Sequence, residues 1–167
     1  MDRRALLIGI LWLALLAGFL AYAAWPVGTT VTLQLAPVDP TDLLRGEYLA
    51  LGYAIGQVDP ALADWEFARG DTVYVALEEG DAVWVARGYW HTRPADGVFL
   101  KGTVDDNGRI AFGIERYFIP EGSDADVRVD ETWTARVRAD GDGNARLLEL
   151  LQDGVPVTFR YDRAQRS

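Results

Sequence analysis

Cysteine is absent from this chain of 167 residues, and histidine, serine and lysine are nearly absent. The lack of cysteine excludes disulfides, thiol nucleophiles and thiolate metal sites. His91 is the single histidine and cannot by itself form a histidine-rich metal centre. Serine occurs only as Ser123 and Ser167, and lysine only as Lys101. Nucleophilic catalysis therefore has few residues to draw on, and we expect no cofactor.

The charge balance of the chain is strongly acidic. Its formal net charge is −9 at pH 7, whereas a surface that binds nucleic-acid phosphates needs an excess of basic residues. We therefore expect no nucleic-acid partner. The residues are 50% hydrophobic and 25% charged, a composition that supports a packed core. The length fits one ordinary domain plus an appendage.

Residues 5–25 form an apolar run without a charged side chain. A helix of that length extends about 31 Å, which matches the hydrocarbon thickness of a bilayer. Arg3 and Arg4 precede the run and predict a cytoplasmic N-terminus, and Pro26 ends the helix. The sequence thus predicts a cytoplasmic stub and transmembrane anchor in residues 1–27. Residues 28–167 are then an extracytoplasmic, periplasmic domain on a single-pass membrane protein.

A cleaved signal peptide is the alternative interpretation of this segment. Ala-Tyr-Ala at residues 21–23 fits the small-x-small cleavage pattern, and the basic start fits as well. The apolar run is longer than the usual signal-peptide core of about 7–15 residues, which favours an uncut anchor. Both interpretations export the remainder of the chain.

Alternating apolar and polar residues predict short β-strands from Thr29 onward. Residues 31–35 alternate cleanly, and so do residues 48–55. In the second segment one face carries Leu49, Leu51, Tyr53 and Ile55. The opposite face carries Tyr48, Ala50, Gly52 and Ala54, mostly small residues that another group can approach closely. Residues 59–67 fit either a short helix or an ordered loop.

Three hairpins follow from the turn signals later in the chain. They pair residues 71–77 with 82–89, residues 98–104 with 109–119, and residues 132–139 with 145–151. Residues 155–161 form a last strand. About nine short strands at regular spacing predict a mainly β fold. We expect one antiparallel β-rich domain, built as a curled sheet, a sandwich or a partly open barrel, with one or two short helices.

Two acidic segments resemble fragments of calcium loops. Residues 140–144 read Asp-Gly-Asp-Gly-Asn, and residues 105–108 read Asp-Asp-Asn-Gly. Acidic residues at alternate positions can converge on a cation, but the distal bidentate glutamate of a calcium loop is missing. Asp, Asn and Gly are also the ordinary residues of hairpin turns. The turn is the favoured interpretation of both segments.

A second distinctive stretch covers residues 112–122. Strand alternation across it places Arg116 and Glu115 on opposite faces, so a charged residue enters whichever face is buried. Buried charges are normally paired, and Arg45 and Glu47 are the available partners. We therefore expect a carboxylate–guanidinium network that joins the start of the Tyr48 strand to the end of the Phe118 strand. Alternatively, two carboxylates here act as general acid and base or hold a divalent cation.

Residues 46–53, Gly-Glu-Tyr-Leu-Ala-Leu-Gly-Tyr, resemble the motif Gly-Asp-Tyr-x-x-Leu-x-Tyr, which names a family of membrane-anchored bacterial proteins. Residues 39–45 and 113–122 are also similar to that family, and the resemblance extends to about Leu151. Glu47 departs from the motif, because it replaces an aspartate and lengthens the carboxylate's reach by a methylene. The resemblance implies an exported domain on one N-terminal helix, with no established activity. The motif and network residues are Arg45, Gly46, Glu47, Tyr48, Leu51, Tyr53, Glu115, Arg116, Tyr117, Phe118, Pro120, Glu121 and Gly122.

The sequence therefore favours a non-enzymatic accessory or interaction module of a membrane assembly. Its expected partners are the lipid bilayer, through residues 5–25, and another membrane protein. In this interpretation Tyr48, Tyr53, Tyr117 and Phe118 form the core or a recognition surface. The alternative is an envelope hydrolase, or a protein that binds a small ligand or cation, with Glu47, Glu115 and Glu121 around a cleft.

Overall fold

The computed structural model describes residue 10 and residues 12–16, 28–37, 48–63, 65–118, 129–130 and 132–157. Within these residues the fold is built from short strands. The strands are β1 (Thr29–Ala36), β2 (Tyr48–Ala50), β3 (Gly52–Tyr53), β4 (Thr72–Glu79), β5 (Trp84–Trp90), β6 (Val98–Val104), β7 (Ile110–Ala111), β8 (Arg116–Phe118), β9 (Trp133–Ala139), β10 (Ala145–Gln152) and β11 (Val155–Pro156). A 3-10 helix, Ala54–Gly56, follows β3.

Nine of these strands form one sheet, in the order β11-β10-β9-β1-β5-β4-β6-β7, with β3 paired to β1. β2 and β8 form a separate two-stranded sheet. The strand pairs are antiparallel except for β1 and β5, whose parallel pairing is limited to Leu33 and Trp84. The prediction of a mainly β, antiparallel fold is confirmed.

The large sheet curls, so that the turn between β9 and β10 meets β6. The Lys101 backbone N–H donates a hydrogen bond of 2.7 Å to the Gly143 carbonyl. Gly143 has a positive φ of 82° and lies so close to the Phe99 ring that a Cβ would stand 2.6 Å from a ring carbon. Only glycine combines this backbone conformation with so close an approach.

The core lies inside this curl and follows the period-two pattern of the strands. In β1 the side chains of Val31, Leu33 and Leu35 are buried, while Thr32 and Gln34 are partly exposed. Trp133, Ala135 and Val137 of β9 supply the matching buried face. Among the described residues no charged side chain is buried, and the polar groups that enter the core belong to aromatic residues such as Tyr53 and Tyr89. Apolar burial is thus the main stabilising term of the domain.

Two of the three predicted hairpins are confirmed, since β4 pairs with β5 and β9 pairs with β10. The third is confirmed only at its start, where β6 pairs with β7. The prediction of one strand over residues 109–119 is wrong. β7 ends at Ala111, Gly113 adopts a φ of 80°, and the chain then enters β8 in the other sheet. A left-handed glycine breaks strand alternation. The alternation of faces predicted for residues 112–118 therefore does not continue across Gly113.

Residues 48–55 show the predicted alternation but not one strand. Leu49, Leu51, Tyr53 and Ile55 are all buried, as predicted. The segment nevertheless changes partner, because β2 pairs with β8 and β3 pairs with β1. It therefore connects the two sheets. The stretch at residues 59–67 is an ordered loop in its described part, where the Tyr89 N–H donates to the Leu62 carbonyl.

The acidic segments 105–108 and 140–144 are hairpin turns, as predicted. Oδ1 of Asp140 accepts hydrogen bonds from the backbone N–H groups of Asp142 and Asn144, at 2.9 and 2.8 Å. Burial alone would raise the pKa of Asp140, but these hydrogen bonds and one from the Asn144 side chain lower it. Asp105 accepts the corresponding backbone hydrogen bonds from Asn107 and Arg109. The Asp105 and Asp140 carboxylates thus each stabilise their own turn.

Most of the apolar N-terminal run lies outside the described residues. Ile10 and residues 12–16 are α-helical. Within the described part of the chain, no helix has the length and apolar character required to span a bilayer.

Replacing Gly143 by alanine should destabilise the domain by about 1–3 kcal/mol, because the methyl group meets the Phe99 ring and the backbone conformation is strained. Gly141→Ala is the matched control, since a Cβ there meets nothing within 4 Å, and should stay within about 0.5 kcal/mol of the parent. Urea denaturation of both variants measures the difference. Equal stabilities would contradict the contact between this turn and β6.

Candidate functional site

The two distinctive stretches of the sequence meet as paired strands. Tyr48 lies opposite Phe118, Leu49 opposite Tyr117, and Ala50 opposite Arg116. The pairing continues past the strands, because the Leu51 N–H donates a hydrogen bond of 2.8 Å to the Glu115 carbonyl. The start of the Tyr48 strand and the end of the Phe118 strand thus lie side by side, at the position where the sequence predicted a connection.

Tyr53 holds the C-terminal end of residues 48–53 in place. Its ring is buried and makes an edge-to-face contact with Phe112, with ring centroids 6.3 Å apart. Its hydroxyl donates a hydrogen bond of 2.9 Å to the Ile114 carbonyl. Burial, followed by the nearby Glu115 carboxylate, raises the pKa of Tyr53 well above that of a free tyrosine. The side chain is therefore a neutral hydrogen-bond donor at every physiological pH.

Glu115 and Arg116 have different structural roles. Oε1 of Glu115 accepts a hydrogen bond from the Phe112 backbone N–H and so closes the turn around Gly113. Arg116 is exposed, and no described carboxylate lies within ion-pair distance of it. The other network residues lie outside the described residues; they are Arg45, Gly46, Glu47, Pro120, Glu121 and Gly122. The expected ionic network therefore stays a prediction.

The four aromatic residues of the two stretches divide between core and surface. Tyr53 is buried and Tyr117 is half-buried. Tyr48 and Phe118 are 49% and 53% exposed, and their rings pack edge to face with centroids 5.7 Å apart. These two rings, named here the aromatic pair, are the exposed aromatic side chains of the sheet formed by β2 and β8.

A groove of about 900 Å³ lies beside the aromatic pair. One wall is the small-residue face of the motif segment, with Tyr48, Ala50 and Gly52. The facing wall is formed by β7 and the turn before it, including Asn107 and Arg109. Glu115 and Arg116 line it as well. A concave site of this size, with both apolar and charged walls, can hold a ligand or a segment of a partner.

One wall of this groove was predictable from the sequence, and the other was not. The motif wall follows from alternation, which separates buried Leu49 and Leu51 from the face of Ala50 and Gly52. The sequence predicts Asn107 in a hairpin turn and Arg109 at the start of the next strand, and neither prediction places them beside the motif. Their placement depends on the curl of the sheet and on the break at Gly113, and neither leaves a periodic signal in the sequence.

The fold and the groove together define a class of protein, a mainly β domain whose paired motif strands border a surface groove. Residues 12–150 match the family model described as GDYXXLXY protein, so the chain belongs to the GDYXXLXY family. This confirms the family resemblance seen in residues 46–53 and 113–122. No curated protein and no solved structure matches the chain.

Tyr53→Phe should lower stability at neutral pH by about 1–2 kcal/mol, because the Ile114 carbonyl loses its buried donor. Tyr48→Phe is the control and should change stability by less than about 0.5 kcal/mol, because Tyr48 is exposed. Above about pH 10 tyrosines of the unfolded chain ionise while Tyr53 does not, so the stability of the parent falls with rising pH. The Phe variant should show a shallower alkaline fall, with a residual slope from Tyr89, whose pKa burial also raises. Parallel curves for parent and variant would contradict this role of Tyr53.

Proposed function

We propose that this chain is a non-enzymatic, single-pass membrane protein that acts as an accessory interaction module of a membrane assembly. Residues 5–25 lie in the bilayer, the N-terminus is cytoplasmic, and residues 28–167 form an extracytoplasmic domain. A second membrane protein binds the domain through the aromatic pair and the adjoining groove.

The exposed aromatic pair is the observation that carries the proposal. Each of the two residues exposes about half of its surface, at 49% for Tyr48 and 53% for Phe118. The two rings stand on a two-stranded sheet whose buried side is held by Leu49. Tyrosine and phenylalanine are enriched in the cores of protein interfaces, where they supply large contact areas at a low entropic cost. The rings are thus positioned by the fold but not covered by the described residues.

The exposure of the N-terminal helical residues supports the anchor. Ile10, Trp12 and Leu13 are 56%, 69% and 69% exposed, and Leu15 and Leu16 are similarly exposed. Consecutive apolar residues cover all sides of a helix, and a helix with apolar residues on all sides requires lipid or protein around it. The soluble domain leaves these described side chains uncovered, which fits a bilayer as their environment.

Two observations favour an interaction module over an envelope hydrolase or a cation-binding protein. The hydrolase reading requires carboxylates that are free to move protons, whereas Glu115 accepts a hydrogen bond from a backbone N–H. The single histidine lies elsewhere, against the rings of Phe67 and Trp65 at centroid distances of 4.7 and 6.1 Å. Glu47 and Glu121, the other carboxylates of that reading, lie outside the described residues.

Site-specific photocrosslinking in intact cells tests this function. A photoreactive phenylalanine analogue at position 48 or 118 should give one dominant adduct with a membrane protein. The same analogue at position 155 is the control, because Val155 is 65% exposed on the edge strand β11 and outside the groove. The adduct and the free chain should both stay in the membrane fraction after alkaline extraction. Equal labelling from all three positions, or release of the chain at alkaline pH, would contradict the proposal.

A further inference from the structure

The groove beside the aromatic pair carries charges of both signs, but the two signs are not equally available to a ligand. Asp105 and Glu115 are the acidic residues that line it, and Arg109 and Arg116 are the basic ones. The hydrogen bonds of these four side chains decide which charge the groove offers to a ligand.

Both carboxylates are engaged with the protein's own backbone. Oδ1 of Asp105 accepts from the N–H groups of Asn107 and Arg109, at 2.8 and 2.9 Å. Oε1 of Glu115 accepts from the N–H of Phe112. Hydrogen bonds from backbone N–H groups satisfy part of each negative charge and fix its position. These carboxylates therefore act mainly as structural acceptors of two turns.

Both guanidinium groups remain without an anionic partner among the described residues. The ion pairs in this part of the chain join Arg69 to Asp106, Arg93 to Asp142 and Arg136 to Glu149. Neither Arg109 nor Arg116 takes part in them. Arg109 is moreover half-buried, so its side chain is partly packed against the lining of the groove. A guanidinium without an anionic partner is a site for a planar anion, above all a carboxylate, which it binds with two parallel hydrogen bonds.

Ala50, on the wall of the groove formed by residues 48–52, also presents its backbone N–H and C=O groups. The Leu51 N–H donates to the Glu115 carbonyl, so the directly opposed Ala50 and Arg116 are a non-hydrogen-bonded pair. The N–H and C=O of Ala50 accordingly point away from β8, and no described residue bonds to them. The side chains on this wall are small at Ala50 and absent at Gly52. Gly52 is already paired with Ala36 of β1, so this wall offers an extended chain a close approach to small side chains rather than a free backbone edge.

We propose that the groove binds an extended acidic segment of a partner polypeptide. The segment lies along the wall of Ala50 and Gly52, and carboxylates of its side chains accept hydrogen bonds from Arg109 and Arg116. An apolar side chain of the same segment packs on the aromatic pair. This assignment rests on the proposed interaction function and adds the chemical class of the partner to it.

The test uses the purified full-length chain in detergent and two fluorescent ten-residue peptides. One peptide has glutamate at alternate positions, and its matched control has glutamine at the same positions. The glutamate peptide should bind at least about tenfold more tightly, because each guanidinium–carboxylate pair contributes that much or more. Equal affinities, or no detectable binding of the glutamate peptide, would overturn the proposal.

Three variants locate the binding. Arg109→Gln and Arg116→Gln should each weaken binding of the glutamate peptide by roughly tenfold or more. Arg87→Gln is the matched control, since Arg87 is exposed on β5 and does not line the groove, and should keep the parent affinity. A loss that is equal in all three variants would show nonspecific attraction and overturn the assignment.

Two further experiments distinguish this proposal from a small-anion site and from an interaction with a partner that is not acidic. Glutarate, a free dicarboxylate, should compete only weakly with the peptide, and competition at equal affinity would make the groove a small-anion site instead. Photocrosslinking from position 48 in the Arg109→Gln, Arg116→Gln double variant should lose the membrane-protein adduct. Retention of the adduct would leave the interaction module standing and overturn only the acidic segment as its partner.

Discussion

The structure depends on one pairing, in which the motif segment is held against residues 112–118. Backbone hydrogen bonds align β2 with β8, the Leu51 N–H extends the pairing to Glu115, and the Tyr53 hydroxyl closes it at Ile114. Side chains of an extended chain alternate between its two faces. This pairing therefore determines both which side chains of the segment are buried and which face the groove. Leu49, Leu51 and Tyr53 must enter the core, and Tyr48, Ala50 and Gly52 must face the groove. Core and candidate site are thus two faces of the same few residues.

This arrangement explains the roles of the three large residues that the motif specifies, Tyr48, Leu51 and Tyr53, and of the small residues that lie between them in this chain. The buried tyrosine donates its hydroxyl to the Ile114 carbonyl. A phenylalanine would leave that carbonyl without its donor, and a charged residue would carry a large desolvation cost. The exposed tyrosine stands on the other face, where its ring meets Phe118. The residues between them are small on the open face, and this keeps the groove from being filled by the protein's own side chains.

The sequence predicted those features that depend on local periodicity and turn chemistry. Alternation identified the buried face of residues 48–55, and the Asp-Gly-Asn composition identified the turns at 105–108 and 140–144. Prediction from alternation failed where a single residue interrupts the pattern. Gly113 in a left-handed conformation ends one strand and redirects the chain into a second sheet, so residues 109–119 do not form the single strand that alternation predicted. The groove wall of Asn107 and Arg109 was missed because tertiary curling brings it to the motif, and such long-range placement leaves no local pattern. The contact of Gly143 with the Phe99 ring also depends on long-range placement and leaves no local pattern in the sequence.

The chain lacks cysteine, and this permits a direct measurement of the central pairing. Cysteines introduced at Ala50 and Arg116, which lie opposite each other in a non-hydrogen-bonded pair, should form a disulfide readily, because their Cα atoms are expected about 4.5 Å apart. Mild oxidation of this double variant in the full-length chain, followed by thiol counting, should show complete crosslinking. A second pair at positions 50 and 117 points to opposite faces and should stay reduced. Oxidation of the shifted pair, or failure of the aligned pair to oxidise, would contradict the register from which both core and groove are derived.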